Sequence, residues 1–419
     1  MSMGTANGMA AGTVEIAPAA NVSAYRASRR RESVRSLALA LPLLLFLLAT
    51  FIYPIGSLLL RSVQSGEVAA ALPQVAAALQ DWRGPDLPAP AAFEAMAQDI
   101  ASAQADGTLV SAARRLNNYE PGFRSLILKT ARRLQDLSAG SAAQAFADID
   151  KRWSEVETWR LIQRAAAPLT PDYLLSAVDL TVGPNGFTAL PADQQIYQSA
   201  FARTFLISGS VTLLCLVLGY PVAYLLATLP TRQSNRLMIF VIVPFWTSLL
   251  VRTTAWYVLL QPNGVVNSLL MASGLTDAPL SLMFNRIGVL IGMTHVLLPF
   301  MILANYAVMR GISPSYQRAA VSLGAHPAVA FLRVYVPQTL PGIGTGAFLV
   351  FVLALGYYIT PALLGGGGDE MISQLIAFQM ERQLNWGLAG ALSVYLVLLT
   401  LAAYFAFNHF VGVDKLRLG

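Results

Sequence analysis

Charge and cysteine are what this 419-residue sequence has least of: only 12% of its residues are charged and Cys215 is its single cysteine. Cys215 lies within an apolar run, so an intrachain disulfide framework and a thiolate metal cluster are both excluded. The three histidines, His295, His326 and His409, are scattered, and no serine sits in a nucleophile-elbow pattern. No catalytic set is visible. Gly365 to Gly368 form a glycine run, but no Lys-Ser or Lys-Thr follows it, so it is no phosphate loop. The formal charge of +6 raises nucleic acid as a partner. Many basic residues instead flank apolar runs and do not interleave with aromatics on a basic face, which points away from nucleic acid.

What the chain has in excess is apolar length. Hydrophobic residues make up 55% of it and the mean hydropathy is +0.56, outside ordinary soluble usage. A helix needs about 20 mostly apolar residues to cross roughly 30 Å of hydrocarbon. Six stretches qualify: Ser36 to Leu60, Ala202 to Leu229, Leu237 to Leu260, Ile287 to Met309, Gln338 to Leu364 and Gly387 to Val411. Barrel strands would need only about ten alternating residues each. The expectation is an all-α membrane protein with six transmembrane helices.

Arg26, Arg29, Arg30, Arg31 and Arg35 precede the first span, a pattern shared with signal peptides. Its apolar core of about 24 residues exceeds the usual 7 to 15, so an uncleaved anchor is expected. Arginine and lysine beside short loops mark the cytoplasmic side. By that rule residues 1–35 are a cytoplasmic tail, and the segments with Arg232 and Arg236 and with Arg310, Arg318 and Arg333 lie inside. Asp277, Arg286, Asp369, Glu370, Glu381 and Arg382 fall outside, and the 413–419 tail with Lys415 and Arg417 returns inside.

Residues 61–199 form a polar insertion between the first two spans, and long segments cross membranes regardless of charge. Phe146, Ile149, Trp153 and Val156 recur at helical spacing, so a helical extracytoplasmic insertion is expected with these four on one face. Gly84, Pro85, Pro88 and Pro90 interrupt it early, and Pro168, Pro171, Gly183, Pro184 and Gly186 loosen its exit. After Arg61 it holds 15 acids against 11 basic residues. A solvated surface explains that mild excess better than an acidic ligand trap.

Between the fourth and fifth spans, Ser313 is placed to cap a helix and Pro314 to begin it. Ala319, Ala320 and Leu323 continue it, Gly324 suits a left-handed stop, and Pro327 blocks continuation. The helix over about 314–325 is roughly 15 Å long, far too short to span. Its alanines and glycine let another backbone approach, which makes it either a docking element or a linker packed on its own bundle.

At these residues the chain resembles the membrane subunits of ATP-driven, binding-protein-dependent importers. Their signature is an EAA triplet, a Gly-Ala pair three residues on, and a proline-glycine exit. Arg318-Ala319-Ala320, Leu323-Gly324-Ala325, Phe331, Val334, Pro337 and Pro341-Gly342 follow it in order, with Arg318 in place of the glutamate. Pro244-Phe245-Trp246-Thr247, Leu250-Val251-Arg252, Asn263-Gly264-Val265-Val266-Asn267, Gly356-Tyr357-Tyr358-Ile359-Thr360-Pro361 and Leu363-Leu364-Gly365-Gly366 resemble the spermidine/putrescine permeases. The resemblance covers the 200–412 core and leaves the insertion out. It implies the type I ABC importer permease fold in a bacterial inner membrane. It also implies a cytoplasmic ABC ATPase dimer, a second permease subunit, and a periplasmic solute-binding protein. ATP and Mg belong on the ATPase, with no cofactor or metal on this chain. The implied coupling residues are Arg318, Ala319, Ala320, Leu323, Gly324 and Ala325, and His326 beside Pro327 joins them as a contact candidate.

Ionisable residues within spans are functional candidates. Arg252 lies roughly 23 Å along the third span, where snorkelling or pairing with Asp277, Asp369 or Glu370 is expected. His295 sits one turn before Pro299, which removes a helical donor; lining the pathway and bonding a neighbouring helix are both open. Tyr357 and Tyr358 fit either an interfacial aromatic belt or, on the family resemblance, a gate. Asp369 and Glu370 are candidates to face the binding protein. The leading expectation is a permease moving a polyamine by alternating access. The competing one is a membrane-anchored sensor or assembly protein with a ligand-binding outer domain.

Overall fold

The computed structural model describes residues 38–64, 66–134, 142–183 and 186–411. Both expected tails, 1–35 and 413–419 with their basic residues, lie outside the described residues. Contacts divide the chain into two units, Met1–Ser57 and Leu58–Gly419. The first span, α1 (Ala38–Leu60), is an uncharged apolar helix. It widens into a π turn at Leu48–Ile52, where Pro54 supplies no amide for the Thr50 carbonyl.

The insertion is helical, as its periodicity predicts. It contains α2 (Gly66–Ala71), α3 (Pro73–Leu79), α4 (Pro90–Ala105), α5 (Leu109–Tyr119), α6 (Phe123–Leu134), α7 (Ala142–Ile149), α8 (Val156–Ala166) and α9 (Asp172–Ser176). Their apolar faces close on Phe93, Met96, Phe146, Trp153 and Trp159, all buried. The four rings meet edge to face, with Phe93 4.5 Å from Trp159 and Phe146 4.9 Å from Trp153. Each indole N–H is met: Trp153 donates to Thr130 Oγ1 at 2.9 Å and Trp159 to the Trp153 carbonyl at 3.0 Å. This matters because an unmet buried donor would cost about 1–3 kcal/mol.

The expected single face through Val156 is broken. Asp150 adopts an extended backbone, ends α7 and caps a 3-10 turn at Lys151–Ser154, and Val156 then opens α8 half-buried. A short acid that bonds its own downstream amide favours a cap over a helix interior. Asp150 also takes Arg152 Nε and Lys129 Nζ, each at 3.1 Å. The Arg152 hydrogen bond holds its carboxyl well below the usual carboxylate range.

A depressed folded pKa stabilises above the unfolded value, about 3.9, and that contribution is lost as pH falls through the folded one. Asp150→Asn keeps a capping oxygen but removes the charge. It is expected to cost roughly 1 kcal/mol at neutral pH, with the gap closing on acidification. Thermal unfolding of the full chain in detergent checks this, and a gap unchanged from pH 7 to pH 2 counts against it.

One element departs from an all-helical reading. The exit carries an antiparallel hairpin, β1 (Leu180–Gly183) on β2 (Gly186–Ala189), with Leu180 opposite Ala189. The β-branched and aromatic residues Thr181, Val182, Phe187 and Thr188 flank glycines that close the turn, a strand signal that the punctuation-based reading passed over. At the base of the hairpin, Asp179 (φ +58°) accepts the amides of Ile196, Tyr197 and Gln198 at 3.1, 3.0 and 2.8 Å. That carboxylate caps the next helix and joins insertion to core.

The core contains α10 (Tyr197–Thr228), α11 (Thr231–Ile242), α12 (Leu249–Leu259), α13 (Val265–Ala272), α14 (Arg286–Met309), α15 (Ser315–Ser322), α16 (Pro327–Leu355), α17 (Ile359–Leu364), α18 (Ile372–Glu381) and α19 (Trp386–Val411). Helices α10, α14 and α16 pack as a triplet around Val211, Met293, Met301 and Val350. Lipid offers no hydrophobic drive between helices, so close approach of backbones has to hold them. Gly342 and Gly346 of α16 serve that end: a Cβ there would meet Val308 Cβ at 3.0 Å and Met301 Sδ at 2.9 Å on α14.

Two expected spans are corrected. The third is not one helix through Leu237 to Leu260: α11 and α12 bend by 97°. Pro244 removes a helical amide, and Thr247 and Ser248 are extended. The pair nonetheless advances along α14. Phe245 meets Phe300 near its middle, Trp256 meets His295, and Tyr257 meets Phe284 just before it begins. The described residues thus hold five helices long and apolar enough to cross, and six spans with this bent pair counted as one. The fifth starts earlier, at Pro327, and ends at Leu355; Ile359–Leu364 is the separate helix α17.

Candidate functional site

The short helix α15 and the segment after it follow the local logic of their residues. Ser313 Oγ accepts the Ser315 amide at 3.4 Å. At the other end Gly324 adopts φ +92°, Ala325 N–H reaches the Ala320 carbonyl at 3.1 Å, and Gly324 N–H reaches Val321 at 3.0 Å. This pair of bonds is the Schellman stop. His326 then caps the start of α16, its Nδ1 accepting the Ala328 amide at 3.3 Å. Local capping therefore occupies one of the two imidazole nitrogens, Nδ1, of the expected contact residue.

Beneath α15 lies an aromatic floor from two spans: Tyr224 of α10 sits 5.3 Å from Phe331 and 5.2 Å from Tyr335 of α16. A hollow of about 600 Å³ opens over it, lined in part by Tyr224, Gln317, Arg318, Val321 and Phe331. Arg318 is exposed, and no ion pair involves it among the described residues.

Small residues were expected to form the outward face. Ala319 and Gly324 are exposed, but Ala320 and Ala325 are half-buried. The protruding side chains are Tyr316, 55% exposed, and Leu323, 89% exposed. With Ala319 they stand at i, i+3 and i+7, one stripe of the helix. Tyr316 was missed from sequence although that spacing marks it.

Three of the four pathway candidates converge. Arg252 on α12 lies within electrostatic reach of His295 on α14 and of Tyr357 in the break before α17. His295 packs edge-on against Trp256, with ring centroids 5.5 Å apart. A hydroxyl bridge between Thr253 and Thr360, 3.2 Å long, ties α12 to α17 beside them. Buried Arg252 Nε and Nη1 and His295 Nδ1 have no hydrogen-bond partner among the described residues. Tyr358 is 41% exposed and is not part of this cluster.

Of the three outer acids expected for Arg252, none pairs with it among the described residues, and one is used elsewhere. Asp369 is 9% exposed and pairs with Arg286 Nε at 3.0 Å. Arg203, which the sequence reading did not single out, donates to the carbonyls of Gly368 at 2.6 Å and Glu370 at 2.9 Å. The glycine loop is thus strapped to α10 and α14, and Asp369 offers no free charge outward. The described spans themselves contain no Asp or Glu.

Residues 197–412, just over half of the chain, match the family described as "Binding-protein-dependent transport system inner membrane component". The chain is similar to the spermidine/putrescine transport system permease protein PotB of Haemophilus influenzae, 32% identical over 57% of this chain and 87% of that one. PotB of Escherichia coli K12 is 36% identical over 45% of this chain and 68% of its own length. A bacterial ABC transporter involved in import of the acidic polysaccharide alginate superposes with a TM-score of 0.42 at 19% identity, covering 51% of this chain and 78% of that one. The sensor reading is not favoured by these matches. With its broken and unbroken apolar helices, this chain belongs to the binding-protein-dependent transport system inner membrane components and is an integral inner-membrane permease.

Proposed function

We propose that this chain imports a polyamine of the spermidine/putrescine class by alternating access. In this reading both termini are cytoplasmic, and α15 docks a cytoplasmic ABC ATPase that holds ATP and Mg. A homologous second permease subunit completes the pathway, and a periplasmic binding protein delivers the solute. Closure of the ATPases pushes α15, and the aromatic floor of Tyr224, Phe331 and Tyr335 passes the movement to α10 and α16. The observation that carries the proposal is the exposed Tyr316, Ala319 and Leu323 stripe on a short helix between two spans. Water-exposed large apolar side chains in a row mark a partner surface. The names of the PotB relatives support the substrate class.

The described spans supply no carboxylate to an amine. Complementarity from this chain therefore rests on aromatic faces such as Trp256 and Tyr357, and any ion pair falls to the second subunit. The test is reconstitution with the cognate ATPase and binding protein, followed by uptake of labelled spermidine and putrescine. ATP-dependent accumulation of at least one amine is expected; ATP hydrolysis that moves neither rejects the substrate assignment.

A further inference from the structure

Helix α15 carries its outward stripe on one side and a cavity on the other. At 3.6 residues per turn, successive side chains step by about 100°, so Gln317, Arg318, Val321 and Ser322 lie on the face opposite Tyr316, Ala319 and Leu323. Those four line the hollow of about 600 Å³, whose far wall includes Phe331 of α16 and Tyr224 of α10. An occupant of this hollow therefore sits between α15 and its own bundle, away from the stripe proposed for the ATPase. Its volume lies within the range of small-molecule sites.

The hollow is apolar within and positive at its rim. Inside, Val321 faces the aromatic floor, where Phe331 stacks on Tyr335 with ring centroids 5.6 Å apart. At the rim Arg318 is exposed and pairs with no acid among the described residues. Segments 229–236 and 310–335, which the topology brings to this one end of the bundle, hold five arginines and no Asp or Glu. Arg310 donates to the Ala227 carbonyl at 3.2 Å and to Thr231 Oγ1 at 2.8 Å. Both acceptors are neutral, so its charge stays.

Beyond the hollow, α16 continues into the membrane with Val329, Leu332 and Leu340 exposed, a surface that acyl chains cover in a bilayer. A free phosphate matches only the rim of such a hollow, and an acidic side chain of the ATPase would have to reach past α15 to its opposite face. An amphiphile with an anionic head and a hydrocarbon body matches both parts. Basic pockets between helices at the cytoplasmic leaflet take phospholipid head groups in this way.

We infer that an anionic phospholipid docks in this hollow, its phosphate on Arg318 and the upper part of an acyl chain over Tyr224 and Phe331. The inference deepens the docking reading and rests on it for the face of α15 left to the ATPase and for the leaflet that supplies the lipid. Seated there, the lipid lies between α15 and the aromatic floor, in the line along which α15 is proposed to push.

Full-length permease without its ATPase is delipidated in detergent and titrated with phosphatidylglycerol or with phosphatidylcholine, and native mass spectrometry counts the lipid retained. A preference for phosphatidylglycerol is expected. Arg318→Gln should weaken phosphatidylglycerol binding about fivefold, the worth of one arginine at a membrane surface, and leave phosphatidylcholine unchanged. Val321→Trp, which fills the hollow while the charge stays in place, should weaken phosphatidylglycerol as well. Both positions are exposed, and thermal unfolding checks that each variant is folded. Equal retention of the two lipids, or phosphatidylglycerol binding indifferent to either substitution, overturns the inference. So does an Arg318→Gln chain that loses ATPase co-purification but keeps its phosphatidylglycerol, because the arginine then serves the ATPase. The lipid is read on the permease alone, so a failure of α15 to dock the ATPase shows up separately.

Discussion

Leu323→Asp is expected to leave the fold of this permease intact and to weaken sharply its association with the ATPase. Leu323 is 89% exposed and touches little within the chain, so its replacement has almost no folding cost. At the centre of a partner's groove the same change buries a carboxylate where an apolar anchor belongs. Loss of such an anchor costs about 2 kcal/mol or more, roughly a thirtyfold weakening, and transport falls with it. Co-purification of the ATPase, with thermal unfolding of the permease alone as control, reads both halves of the prediction. Undiminished ATPase binding would falsify the docking role of α15. Gly324→Asp is a less clean probe: nothing lies within 4 Å of the place a Cβ would take, but φ is +92°, so loss of association would mix backbone strain with lost contact. Arg318→Glu, which restores the usual motif acid, changes an exposed residue with no ion pair to break among those described.

Gly387→Ala is expected to destabilise the joint between insertion and core. A Cβ at Gly387 would overlap ring carbons of Tyr173. Tyr173 is 7% exposed, and Arg115 lies against its ring at 3.6 Å, so the ring has little room to retreat. Overpacking of this kind typically costs about 1–3 kcal/mol, and the upper end applies where both neighbours are fixed. The double variant Gly387→Ala with Tyr173→Ala should be no less stable than Tyr173→Ala alone, because the second change removes the obstacle. Strictly additive losses in that cycle would mean that the two residues do not interlock.

Much of the core was legible because its signals are local. The lengths of the second, fourth and sixth spans and the Gly324 stop depend on neighbours within a few residues, and the structure places them where those rules put them. The fifth span was misjudged at both ends. Its first turns carry Arg333 and two prolines and so read as polar loop, while Gly356 breaks it without interrupting the apolar run. The third hid its 97° bend for the same reason, since hydropathy averages over Pro244 and Thr247. Burial in the insertion followed the pattern at Phe146, Ile149 and Trp153, but Asp150 divided them between a helix and a 3-10 turn. Charge partners were least legible: Asp369 pairs with Arg286 across 83 residues of sequence, and no spacing rule reaches that far.

Sequence alone determined that this chain crosses a membrane several times, lacks any carboxylate in its described spans, and interrupts them with a short helix bearing an importer signature. These follow from composition and from interactions within one or two turns. Only the tertiary structure decided which large side chains that helix turns outward, and that Arg252, His295 and Tyr357 share one cluster. It alone brought Arg115, Tyr173 and Gly387 together where insertion meets core. Contacts between distant segments depend on how whole helices pack, and packing is set by the shapes of all the surfaces at once.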